Sequence, residues 1–186
     1  MKSIKAIILL LLALILLYMS YSLVYQMLRQ EQVFSFKEAL SLAALTNLYF
    51  TGVIALIGFA LPSSKLLPKK YYRINNPKSL IGVYQTLGIK WFKYFLLITF
   101  WRAKKKQKQF FNGRKDGLKN FIFQSEQAEF GHIISFLFIE IFALVMLVRS
   151  NFEFALYCSV INVFFNFYPV VLQRYHRIRI QRILES

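Results

Sequence analysis

The chain reads as an all-α integral membrane protein: a helical bundle of about four transmembrane helices, with an interfacial helix in a basic cytoplasmic loop. Three observations predict this. Of its 186 residues 57% are hydrophobic and 18% aromatic, more apolar surface than a soluble domain of this size conceals. Four stretches approach or reach the roughly 20 residues a helix needs to cross a hydrocarbon core about 30 Å thick. The formal charge of +16 is segregated into particular connections, the pattern that encodes membrane orientation rather than nucleic-acid binding.

The first stretch, residues 6–27, follows Lys2 and Lys5 and runs on past signal-peptide length without an A-x-A-like cleavage site, so it is expected to be an uncleaved anchor. The others are placed at 39–61, 132–149 and 154–173. Lys and Arg number two at the N-terminus, two in 28–38, fifteen in 62–131, one between the last spans and four in the basic tail 174–186. That alternation puts both termini and the long loop of a multi-pass protein on the cytoplasmic side. The whole chain, 1–186, is read as a single membrane domain.

The cytoplasmic loop 62–131 is too aromatic for a disordered linker. The apolar run from Tyr94 to Trp101, flanked by Lys90, Lys93 and Arg102, is too short to span and predicts an interfacial or re-entrant helix. The K-K-K-Q-K tract at 104–108 suits anionic lipid headgroups, and F-N-G-R-K-D-G at 111–117 reads as a turn. Cys158 stands alone inside a span, which excludes a disulfide framework or a thiolate metal cluster and leaves packing as its expected role. No zinc-finger, Walker A, G-x-S-x-G, H-E-x-x-H or dinucleotide-binding pattern occurs. No metal, no bound cofactor and no nucleic-acid partner is expected.

Two clusters carry chemistry. On a helix, Asn162, Asn166 and Gln173 fall within about 40° of one another, and Arg177 lies about 60° beyond Asn162. Carboxamides in lipid must face a bundle interior, a polar partner or a cavity, so they act either as interhelical glue or as a site. In E-Q-A-E-F-G-H at 126–132, Glu129 and His132 are three residues apart and therefore neighbours on a helix. Glu140 returns to within about 20° of Glu129. A carboxylate that fixes one imidazole nitrogen leaves the other free to take a proton from a hydroxyl. Glu-x-x-His also occurs in di-iron bundles, but those use it twice and this chain has it once. Arg174, Arg177 and Arg179 supply permanent cations able to grip phosphate or carboxylate.

The order P-K-K-Y-Y, Y-x-x-L-G-I-K-W-F-K, A-E-F-G-H, N-F-Y-P-V-V-L-Q-R-Y-H-R-I-R and a terminal R-I-L resembles the glycosyl-diaponeurosporenoate acyltransferase family over about residues 61–184. Glu129, His132, Asn166, Gln173, Arg174, Tyr175, Arg177 and Arg179 occupy the matching positions. Two features depart from the pattern: His176 stands where Asn is expected after Q-R-Y, and the chain has an extra N-terminal span. The resemblance implies transfer of a fatty acyl group onto a hydroxyl of a glycolipid-like acceptor, such as a glycosylated carotenoid. The expected donor is acyl-CoA or another acyl carrier.

In this reading His132 is the general base and Glu129 orients it. Asn162, Asn166, Gln173, Glu140, Arg174, Tyr175, Arg177 and Arg179 meet the substrates, with anionic lipid headgroups as further partners. The alternatives are a non-enzymatic lipid-binding or assembly subunit, and transfer of another group, such as methyl, onto a lipid.

Overall fold

A computed structural model describes residues 2–30, 32–99 and 115–185, and among these it is helical with no strand. Four helices are long and apolar enough to cross a membrane: Ile4–Arg29, Phe36–Ala60, Asn120–Val148 and Phe152–Gln181. The chain is an all-α membrane protein. It divides into two compact units, Met1–Ser63 with Phe130–Phe167, and Ser64–Glu129 with Tyr168–Ser186.

The first unit holds α1 (Lys2–Arg29) and α2 (Phe36–Ala60), together with the C-terminal part of α6 (Lys115–Val148), then α7 (Phe152–Asn162) and a π-helical stretch, Val163–Phe167. α2 packs on α1 and on α7. Its contact with the core is made by small residues, Ala39 and Ala43, which are fully buried beside Phe154, Cys158, Ile139 and Met146. Between membrane helices van der Waals fit replaces the hydrophobic drive, so small side chains that let backbones approach are favoured. One turn on, Asn47 is buried and its Nδ2 donates to the carbonyls of Ala43 (3.0 Å) and Cys158 (3.2 Å). Gly52 continues the close approach on the α1 side, where a Cβ would lie 2.6 Å from Leu16 Cδ2. Most large apolar side chains of α1, from Ile4 to Tyr25, are exposed, as suits a helix facing lipid.

One end of this unit is tied by polar contacts. α6 stops in a Schellman arrangement: Ser150 N–H donates to Leu147 O and Asn151 N–H to Met146 O, with Ser150 at φ 63° in the left-handed region that glycine usually fills. Asn151 Oδ1 accepts from Phe34 N–H (3.0 Å), and Arg149 donates to the Leu28 carbonyl at the end of α1 (2.7 Å). Glu38 accepts from the backbone N–H and the hydroxyl of Ser35, one half of a capping box for α2.

The second unit holds α3 (Lys69–Tyr72), α4 (Pro77–Thr86), α5 (Ile89–Thr99), the N-terminal part of α6, and α8 (Tyr168–Glu185). α4 and α5 pack on each other and on α8, joined through Gly88 at φ 72°, a conformation costly for any residue with a Cβ. α5 buries Ile89 and Phe92 and exposes Trp91, Tyr94, Phe95 and Ile98, a short helix over the described part of the run read as interfacial or re-entrant. Trp101, Arg102, the 104–108 tract and positions 111–114 of the expected turn lie outside the described residues.

Two boundaries differ from the sequence reading. The third helix begins at Lys115 rather than 132, because Leu118, Ser125 and Glu129 form a buried helical stripe whose polar members find protein partners. The loop therefore ends nearly five turns sooner. The fourth span is interrupted by the π stretch and continues as helix to Glu185. Pro169 follows directly; lacking an N–H, it leaves the carbonyl one turn back without its helical donor, and the wider turn absorbs the mismatch.

Candidate functional site

In the first unit the π stretch places two asparagines at successive positions of a hydrogen-bonded row. π-bulges are uncommon and frequent at functional sites. Asn162 and Asn166 are fully buried. Asn162 Nδ2 donates to Glu140 Oε1 and to the Phe136 carbonyl, both at 2.9 Å, while Ser159 Oγ donates to Glu140 Oε2 at 2.8 Å. Asn166 Nδ2 donates to Asn162 Oδ1 (2.8 Å) and to Thr51 Oγ1 (3.0 Å). Asn166 Oδ1 then faces Nδ1 of His132 at 3.0 Å.

The direction of this row decides the state of His132. The Asn162 amide nitrogen faces two acceptors, so reversing it would set oxygen against oxygen. Its Oδ1 is thereby presented to Asn166, whose nitrogen must face it, and whose oxygen is left for the imidazole. An oxygen cannot donate, so Nδ1 carries the proton, and whenever the ring is neutral Nε2 is the nitrogen with the lone pair. His132 is half-buried, unlike the asparagines behind it. Glu140 sits at the far end of the row with both carboxyl oxygens occupied, which is how an acid in mid-span is accommodated.

The second unit gathers charge instead. Glu129 is fully buried and accepts from two guanidinium groups, Arg174 Nε at 2.7 Å and Arg177 Nη2 in a short contact. Arg177, 2% exposed, also donates from Nη1 to Ser125 Oγ (3.2 Å), and Ser125 in turn donates to the Gln173 carbonyl. The Nε of Arg177 is buried without a hydrogen-bond partner. Aromatic faces back both cations: Arg174 lies 4.9 Å from the Tyr71 ring centroid and Arg177 5.5 Å from that of Tyr72, within the range of cation–π attraction. Tyr72 donates to the Ser64 carbonyl (3.0 Å). Burial, reinforced by the nearby Glu129 carboxylate, pushes its phenol up to about 12. Burial also raises Tyr71 and Tyr84, against the opposing pull of Arg174. All three stay protonated donors at ordinary pH.

The expected site residues thus fall into two groups. His132, Glu140, Asn162 and Asn166 belong to the first unit; Glu129, Gln173, Arg174, Tyr175, Arg177 and Arg179 belong to the second. His132 takes Asn166 as its Nδ1 partner, and the carboxylate of Glu129 goes to the arginines. Within α8, Arg177 is buried and Arg179 exposed, and Tyr175 stands edge-on to His176, whose ring also meets Phe121. Sequence reasoning missed Thr51, Ser125, Ser159, Tyr71 and Tyr72. For the tyrosines the signal was there, in two adjacent phenols behind two lysines. Single hydroxyls inside apolar runs gave none. Among the described residues, no three His, Cys, Asp or Glu side chains gather into a metal-binding group.

A family description, Glycosyl-4,4'-diaponeurosporenoate acyltransferase, matches residues 68–186. The chain belongs to that family. The match takes in Glu129, His132, Glu140, both asparagines and the arginines of α8, and it begins after α1 and α2, so Thr51 is a contact to the relay from outside the matched region. No curated protein and no solved structure matches the chain. It is accordingly a membrane protein of an acyltransferase family.

Proposed function

We propose that this protein transfers a fatty acyl group from an activated carrier, acyl-CoA or another acyl thioester, onto a hydroxyl of a glycolipid-like acceptor such as a glycosylated carotenoid. The observation that carries the reading is the directional row His132–Asn166–Asn162–Glu140, each donating to the next, with Ser159 donating to the same carboxyl. It begins on an imidazole whose Nδ1 proton is held and whose Nε2 is basic. Nε2 takes the acceptor's hydroxyl proton as the oxygen attacks the thioester carbonyl. The tetrahedral intermediate expels the thiolate, which recovers that proton from the imidazolium, and an ester and a free thiol result. His132 is the catalytic base and Asn166 positions it; Asn162 and Glu140 act through Asn166. The arginines of α8, in the second unit, are the groups suited by charge and shape to an anionic donor. Glu129, which accepts from two of them, sets the direction of their planar forks.

The protein works in the cytoplasmic membrane of a bacterium with both termini and the 62–131 segment inside, a reading supported by the fifteen cations of that segment. In a Cys158→Ala background, cysteines at Lys78 and Glu153 should label from opposite sides, and labelling of both from outside would remove the topology.

The test of function is mass spectrometry of lipid and pigment extracts from cells with and without the protein, followed by the same comparison for His132→Ala. Disappearance of one acylated species, with its hydroxyl precursor accumulating, is expected in both. Unchanged product with His132→Ala would reject the base.

A further inference from the structure

The second unit contains a cavity of about 130 Å³ lined by Lys69, Tyr72, Arg73, Ile122, Glu126, Arg177 and Gln181. Three of the lining groups are permanent cations at neutral pH and one is a carboxylate, so the wall carries a positive excess. Lys69 and Arg73 are exposed at its rim and Arg177 is buried. The buried member is under-used: its Nη groups are engaged by Glu129 and Ser125, while its Nε–H is a donor with no acceptor. Leaving such a donor buried costs about 1–3 kcal/mol, and the guanidinium that carries it adds its charge to the wall. Two of its cations, Lys69 and Arg73, lie outside the candidate membrane spans, where a phosphate from water or from a headgroup can reach them.

From this we infer that the cavity is a phosphate subsite, with Arg177 as its buried anchor, Lys69 and Arg73 as its rim, Gln181 as a neutral donor and Glu126 as the group that limits its affinity. The inference rests on the acyl-transfer reading only in what it would serve there, holding a phosphate of the donor while the carrier's thioester is used. Phosphate binding itself stands apart from that reading. The same chemistry is offered by a lipid headgroup, and the two sources separate experimentally.

The full-length protein in nanodiscs of uncharged lipid is titrated with inorganic pyrophosphate, with thermal unfolding and calorimetry as readouts. Saturable binding is expected, weakened roughly tenfold by Lys69→Gln or Arg73→Gln, the scale of one charge-assisted hydrogen bond, and tightened several-fold by Glu126→Gln, which removes the repelling carboxylate. The rim variants are exposed and keep the fold, so their loss of binding reads the site directly. A repeat in nanodiscs containing phosphatidic acid assigns the source: competition against pyrophosphate points to a headgroup, undiminished binding to a soluble donor. No saturable binding, or affinity unmoved by both rim variants, overturns the subsite, as does weaker binding in Glu126→Gln with the fold intact. Pyrophosphate binding with the predicted variant pattern in a protein lacking acyl transfer would refute the donor role and leave the subsite.

Discussion

The two units solve the same problem, placing polar groups in a membrane protein, with opposite chemistry. The first uses a row of two amides that donate in turn toward the carboxyl of Glu140 and that ends, on the other side, on an imidazole. The second uses full charges, one carboxylate between two guanidiniums, backed by aromatic rings. A carboxamide row needs no counterion and can be satisfied by residues on helices already packed together. A guanidinium costs far more to bury and is tolerated only where its counter-charge is fixed. In the proposed reading the difference is a division of tasks: neutral dipoles would orient a base, and charge would retain an anion.

The sharpest way to break the comparison is to remove the counter-charge. Glu129→Ala strands two arginines, one of them buried, and should cost roughly 3–5 kcal/mol, as breaking buried pairs does. Protein yield and thermal unfolding in detergent should show it. A stable Glu129→Ala protein would mean that solvent or lipid phosphate already balances those charges.

Next in size, His132→Ala should lower acyl transfer by a factor of roughly 100 or more, with protein level and unfolding temperature nearly unchanged. Equal loss of protein and product would make His132 a structural group and collapse the distinction between the units.

A smaller effect tests the row itself. Asn162→Ala and Asn166→Ala should each reduce turnover, and the double variant should be little worse than Asn166→Ala alone, since Asn162 acts only through Asn166. In stability the same pair, one turn apart on one helical segment, should couple by only about 0.2–0.5 kcal/mol, the usual yield of such a side-chain hydrogen bond along a helix. A large stability coupling with additive activity losses would reverse the assignment.

The least effect is alkaline. Tyr72, raised to about 12 by burial and Glu129, keeps its proton in the folded state through a range where the unfolded phenol, near 10, has lost its own. Its contribution is therefore full below pH 10 and is lost as pH rises toward 12. Tyr72→Phe should remove one late-titrating phenol from the absorbance titration and flatten the stability loss in that window. An unchanged titration would place Tyr72 in water.

Much of this was legible from the chain. Hydropathy and charge segregation delimited four spans because lipid exposure imposes both. The asparagines of the fourth span and the acid of the third stood out because such groups are expensive there. The start of α6 did not, since Gln124, Glu126, Gln127 and Glu129 look aqueous until their partners are known, and Gln127, for one, accepts from the Ser64 backbone. A periodicity argument of 100° per residue also runs through Val163–Phe167 as if the helix were regular, whereas the π stretch resets the phase between Asn162 and Gln173. Pro169 was the visible warning. The pairing of His132 with Asn166, 34 residues apart, depends on two helices packing, which spacing along one helix cannot express.

The knot at Asn151 bears on how the protein is made. Phe34 N–H waits for a side chain 117 residues downstream, and the last carbonyls of α1 wait for Arg149. The first hairpin therefore leaves the ribosome with its connecting segment unsecured and is fastened only when the second hairpin follows. Truncated nascent chains ending before residue 149 should be cut readily beside Phe34, and chains extended past the last span, with the Phe34 N–H held by Asn151, should be cut more slowly there.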